Sequence, residues 1–204
     1  MAIKISELTP KADILSATDL FEVSEDTPDG YLSKSITGQE ILDAIPIPIV
    51  NPTLLAFSGI SGTPTTVTNI TICHSVLIPA NTFTNNNILQ VVFRMLRQSG
   101  NVGQLYGRIY FNTANTLTGA TLFNTNFTMN GGGSNYLGLV ERNFSYNGTN
   151  LTGYSNAAFS DYTTGAVANV TFNATIDNYV LLTMQCQNVA DVANINLFKI
   201  FSYA

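Results

Sequence analysis

Apolar and polar residues alternate from the start of the interpretable pattern. In Leu20 to Val23, Leu20 and Glu22 oppose Phe21 and Val23, and Tyr31 to Thr37 alternates again. Between the two runs lies E-D-T-P-D-G, with Pro28 and Gly30 in turn-forming positions, so the pair predicts a β-hairpin. Thr37-Gly38-Gln39-Glu40 then has the form of a capping box, with Ile41, Leu42 and Ile45 behind it. One short helix is expected from Gly38 to Ala44, stopped by Pro46. A hairpin and two helical turns cannot enclose a core of their own, so residues 1–45 must dock on something.

From Thr53 to Ala204 the pattern changes to a succession of strand-like runs separated by Gly, Asn and Thr. The stronger strand candidates are Ile88 to Leu96, Leu105 to Phe111, Tyr136 to Tyr146 and Ile195 to Tyr203. Weaker ones lie at Leu54–Ser58, Val67–Ile78 and Thr121–Met129. The most regular run is Val170 to Ile176, with Thr171, Asn173 and Thr175 on its polar side, which reads as a half-buried antiparallel strand. Asp177-Asn178 is expected to turn the chain, and Tyr179 to Gln187, apolar on both faces, to return it as a central strand. Eight to ten strands without a long amphipathic helix predict a mainly β fold, a β-sandwich or jelly roll over 53–204.

Between these regions Pro46 to Pro52, P-I-P-I-V-N-P, holds three of the seven prolines. Proline fixes φ and biases the residue before it towards extended backbone, so residues 46–52 read as a stiff strut. Its apolar Ile47, Ile49 and Val50 predict contacts with another copy of the chain. The charge divides at the same place. Residues 1–45 carry nine acids against three lysines, a net charge of −6, whereas residues 46–204 carry five basic and four acidic side chains, a net charge of +1. Only 10% of residues are charged, and Asn and Thr supply most of the polarity. No dense Lys/Arg patch forms, which argues against nucleic-acid binding. No apolar run reaches membrane-spanning length, and M-A-I-K-I-S-E-L has no apolar core of a secretory signal, so synthesis in a cytoplasm is expected.

Catalytic chemistry is thinly represented. His74 is the single histidine and follows Cys73 in a predicted strand, so the two side chains point to opposite faces. Cys73 and Cys186 read as buried free thiols. Asp161 and Asp177 carry no spacing that demands a glycosidase pair, and Asp161 and Asp191 belong to no calcium-loop pattern. Gly131-Gly132-Gly133 leads into a strand, so it predicts a hairpin loop and no phosphate cradle. Seven Asn-x-Ser/Thr sequons, at Asn69, Asn126, Asn143, Asn147, Asn150, Asn169 and Asn173, follow from the abundance of Asn and Thr. No cofactor, metal ion or enzymatic activity is expected.

Binding chemistry is richer. Arg94 and Arg97 sit at opposite parity, whereas Arg108 shares a face with Tyr106 and Tyr110, forming a cation–π or oligomer-interface cluster. Tyr136, Tyr154 and Tyr162 lie amid amides and hydroxyls, a surface that can stack on sugar rings or serve an interface between copies.

K-I-S-E-L-T-P, D-L-F-E-V-S, Y-L-S-K-S-I-T and Q-E-I-L-D-A-I, within residues 3–45, resemble the N-terminal region of tailed-bacteriophage fibre and head- or tail-associated structural proteins. R-I-Y-F-N-T, L-T-G-A-T-L-F, E-R-N-F-S and V-T-F-N-A-T-I-D-N-Y-V-L-L-T resemble the small β-sandwiches of phage head and tail fibres, with crass-like phage head fibres as the comparison of choice. The resemblance implies a virion structural protein made in the host cytoplasm. It would be a homotrimer whose residues 1–45 attach to capsid or tail proteins. The distal domain would be displayed, with a host surface glycan as a further partner.

Overall fold

The computed structural model describes residues 20–27, 30–37, 52–66, 68–123, 126–130, 133–159 and 167–203. The chain divides into two units, Met1–Ile49 and Val50–Ala204. In the first, β1 (Leu20–Thr27) and β2 (Gly30–Thr37) pair antiparallel in continuous register from Leu20↔Thr37 to Thr27↔Gly30. This is the hairpin that the two alternating runs predict. The helix expected at 38–44 and the strut residues Ile47, Ile49 and Val50 lie outside the described residues.

Among its described residues the second unit has eleven strands: β3 (Thr53–Ser58), β4 (Thr71–Ile78), β5 (Ile88–Ser99), β6 (Leu105–Asn112), β7 (Thr121–Leu122), β8 (Phe127–Met129), β9 (Tyr136–Tyr146), β10 (Asn150–Tyr154), β11 (Val167–Thr171), β12 (Asn178–Cys186) and β13 (Val192–Tyr203). They form two antiparallel sheets. One is six-stranded in the order β11-β10-β9-β5-β13-β3; the other runs β4-β12-β6-β7, with β8 also paired to β6. Among the described residues there is no helix.

Strand periodicity of two explains how both sheets feed one core. Leu89, Val91, Phe93 and Met95 of β5 are fully buried, as are Val140 and Phe144 of β9, Ile109 of β6, and Val180, Leu182 and Met184 of β12. The sheets meet through tilted aromatic rings: Phe93 packs on Phe127 at 5.9 Å and Phe111 on Phe144 at 5.4 Å between centroids, both edge-on, as ring quadrupoles favour. A Cβ on Gly107 would lie 2.6 Å from the sulfur of Met95, so glycine is what allows β6 to approach β5 this closely.

Four sequence expectations need correction. The Val170–Ile176 strand ends at Thr171 and pairs with β10, while β12 belongs to the other sheet, so residues 172–177 cross between sheets and do not close a hairpin. The cause is Asn173. Its side-chain oxygen accepts from the backbone N–H of Thr175 at 3.0 Å and the hydroxyl of Thr175 at 2.7 Å, a local alternative to the ladder. Phe172 and Ala174 stay buried, so the apolar alternation was a record of burial and not of pairing. The run Thr121–Met129 is split into β7 and β8, both paired to β6. The run Val67–Ile78 contributes a strand only from Thr71. The described residues of the unit form eleven strands where eight to ten were expected, because the Thr121–Met129 run gives two and β10, with Gly153 in its short run, was not anticipated.

Candidate functional site

The nucleophile candidates are occupied by structure. Cys73 and Cys186 are buried free thiols. Burial pushes the Cys73 thiol up to about 12, and burial with the negative charge of Asp191 pushes Cys186 up to about 11, so neither is a thiolate at neutral pH. His74 lies half-buried beside buried Cys73. Its Nε2 sits 2.9 Å from the carbonyl oxygen of Ile195, which can only accept, so Nε2 carries the hydrogen. The ring packs on Phe198 at 4.7 Å. That is the environment of a structural histidine.

Asp177 is exposed and accepts a hydrogen bond from the backbone N–H of Ala80 at 2.9 Å, closing the sheet crossing onto the end of β4. Asp161 lies outside the described residues. Asp191, weighed as a calcium ligand, is instead fully buried against Arg97, with Nη1 and Oδ1 2.5 Å apart. It also accepts from the backbone N–H groups of Val102 at 3.1 Å and Gly103 at 2.8 Å. A carboxylate whose oxygens are already engaged by a guanidinium and two backbone N–H donors is committed to those donors and not to a metal ion. Burial alone would raise its pKa; the hydrogen bonds from Val102, Gly103 and Arg97 outweigh that and hold it below the usual carboxylate range. Among the described residues no three His, Cys, Asp or Glu side chains gather as metal ligands.

Sequence reasoning missed two buried arginines. Arg97 and Arg142 both have 0% exposure, on the core-facing side of β5 and β9. Arg142 lies over the Phe127 ring at 4.7 Å and donates to the carbonyls of Glu141, Asn156 and Ala158, so it holds the 155–159 loop against β9. The signal was present. Arg97 shares parity with Leu89, Val91, Phe93 and Met95, and Arg142 with Val140 and Phe144, positions where a charge demands an internal partner.

Tyr106, Arg108 and Tyr110 do share one face, the outward side of β6. Arg108 lies 5.7 Å from the Tyr106 ring. It is only 8% exposed, however, and donates from Nε to Asn126 Oδ1 and from Nη2 to Gln185 Oε1, the latter at 2.6 Å. Gln185 in turn donates to the carbonyl of Thr68, and Tyr106 donates to Gln104 at 2.7 Å. The cluster is an internal network of amides around one cation. Burial, the largest influence, pulls the Arg108 pKa down, while Tyr110 and Tyr106 oppose it.

The tyrosines expected to face a ligand are separated. Tyr154 is exposed on β10 and borders a shallow groove of about 440 Å³, lined also by Ile88, Asn143, Ser145, Thr152 and Val167. The Thr152 hydroxyl donates to Asn169 Oδ1 at 2.7 Å, and the Ser145 hydroxyl donates to the carbonyl of Thr152 at 3.4 Å. The groove offers an aromatic ring, two aliphatic side chains, an amide and hydroxyls, a set that suits the faces and hydroxyls of a sugar. Tyr136 is exposed at the opposite end of β9, nine residues from Ser145, or about 30 Å at the rise of a strand. Tyr162 lies outside the described residues. Compared with known proteins, the sequence matches no protein-family model and no curated protein.

Proposed function

We propose that the chain is a non-enzymatic structural protein of a tailed-phage virion, a short trimeric head or tail fibre or decoration protein. In this reading residues 1–45 attach to capsid or tail proteins, residues 46–52 act as the strut, and residues 53–204 are a jelly-roll-like β-sandwich displayed outward. The observation that carries it is the inequality of the two units. Among its described residues the first offers a two-stranded hairpin, in a stretch of net charge −6, and a two-stranded hairpin needs a partner to be stable. The second has a continuous core drawn from both sheets. A dependent adaptor joined to a self-sufficient domain is the organisation expected of an anchored, displayed protein. The phage-fibre resemblance of both regions supports the same reading.

Electron micrographs of the particles encoded with this chain, labelled with an antibody against it, test the reading. Label at fixed sites on heads or tails is expected; particles without label, and without the chain in their protein content, would overturn it. A second reading, recognition of a host receptor or carbohydrate, is favoured by the groove beside Tyr154. A glycan array read with the native chain and with Tyr154→Ala separates the two. Binding lost in the variant supports recognition, and no binding by either leaves the structural role.

A further inference from the structure

The two sheets present different outer faces. Of the fourteen large exposed apolar side chains among the described residues, seven lie on the outer side of strands of the six-stranded sheet and one, Leu77, on a strand of the other. Phe57 is 68% exposed, Leu139 53% and Leu137 48%. Apolar side chains concentrated on one sheet face mark a surface that meets another molecule. Six strands at roughly 4.8 Å spacing, with central strands rising about 3.3 Å per residue, span a face of roughly 25 by 35 Å. That is on the order of the about 800 Å² per partner that a stable protein interface uses.

Charge identifies the occupant. Across the centre of this face, Lys199 of β13, Val92 of β5 and Glu141 of β9 stand in one row, Val92 registering with Lys199 on one side and with Glu141 on the other. Among the described residues neither Lys199 nor Glu141 has an oppositely charged side-chain partner; the carboxylate of Glu141 accepts from the side-chain amide of Gln90, at 2.8 Å. A two-fold or three-fold axis running along β5 above Val92 carries the Lys199 side of one copy onto the Glu141 side of the next, while Arg94, on the same face of β5, is held by Asn196, its Nε donating to Oδ1 at 2.8 Å. The row is therefore complementary to itself, at either two-fold or three-fold symmetry.

We propose that the outer face of the six-stranded sheet, centred on Val92, is where copies of this chain associate, with Lys199 of each copy paired to Glu141 of its neighbour. The inference rests on the self-association in the reading above and places the contact on the sheet opposite Tyr106, Arg108 and Tyr110. Leu139, Leu137 and Phe57 supply the apolar surround, and Val92 lies at its centre. The groove beside Tyr154 sits towards the Ile88 end of the same face and stays outside the central rows.

The test is light scattering and sedimentation of the full chain with three variants. Lys199→Glu and Glu141→Lys each put like charges in contact and are expected to raise the dissociation concentration by at least about tenfold. The double variant, with both charges exchanged, restores complementarity and is expected to reassociate. Circular dichroism confirms that each variant folds. Association unchanged in both single variants, or not recovered in the double one, would overturn this placement while leaving an oligomer intact. A native chain that is monomeric would also overturn it, whereas the virion role stands or falls separately on antibody labelling of particles.

Discussion

The Arg97–Asp191 pair carries both charges at 0% exposure, where desolvation is costly and only the matched geometry makes the site tolerable. Removing one partner should therefore cost far more than a surface ion pair. Arg97→Met leaves a buried carboxylate with two backbone donors, and we expect a loss of about 3–5 kcal/mol in urea unfolding. The pH dependence has a defined sign. Because the folded state depresses the pKa of Asp191, its stabilisation is complete above the unfolded value of about 4 and is lost as pH falls through the lower folded value. The stability difference between the native chain and Asp191→Asn should be constant from pH 7 down to about 4 and should shrink below that. The thiols give a second check. Cys73 and Cys186, both raised by burial, should resist a thiol reagent at pH 8 in the folded protein and react in denaturant.

Among the elements, the strand ends depend on side-chain hydrogen bonds as much as on alternation. Asn173→Ala removes the acceptor that turns the chain at Thr175, and a loss of about 1 kcal/mol is expected in the unfolding midpoint. Phe144, fully buried and ringed by Phe111 and Phe123, is a larger determinant, and Phe144→Ala should cost about 3–5 kcal/mol. Strands with a regular apolar face were legible in the sequence: β5, β6, β9 and the hairpin of β1 and β2 lie where alternation places them. Strand partners were not, since Val170 and Tyr179 are close in sequence yet belong to different sheets, and nothing in a period of two says which sheet a strand joins. The same limit explains the candidate sites. Arg108 and its tyrosines were placed on one face correctly, but the amides of Asn126 and Gln185 that engage it come from distant segments, 18 and 77 residues away. The groove beside Tyr154 joins β5, β9, β10 and β11, a combination visible only after pairing is known.

At the scale of the molecule, the division between Met1–Ile49 and Val50–Ala204 falls within the proline-rich stretch. If residues 46–52 act as the proposed strut, replacing them with Gly and Ser should leave the circular dichroism and core stability of the second unit unchanged while loosening association. Unaltered association in that variant would remove the mechanical role assigned to the prolines. The proposed role, a self-associating structural part, is tested by the solution mass of the intact protein at micromolar concentration. A mass about three times the 22.0 kDa of one chain is predicted. A single chain of 22.0 kDa across that concentration range would overturn self-association.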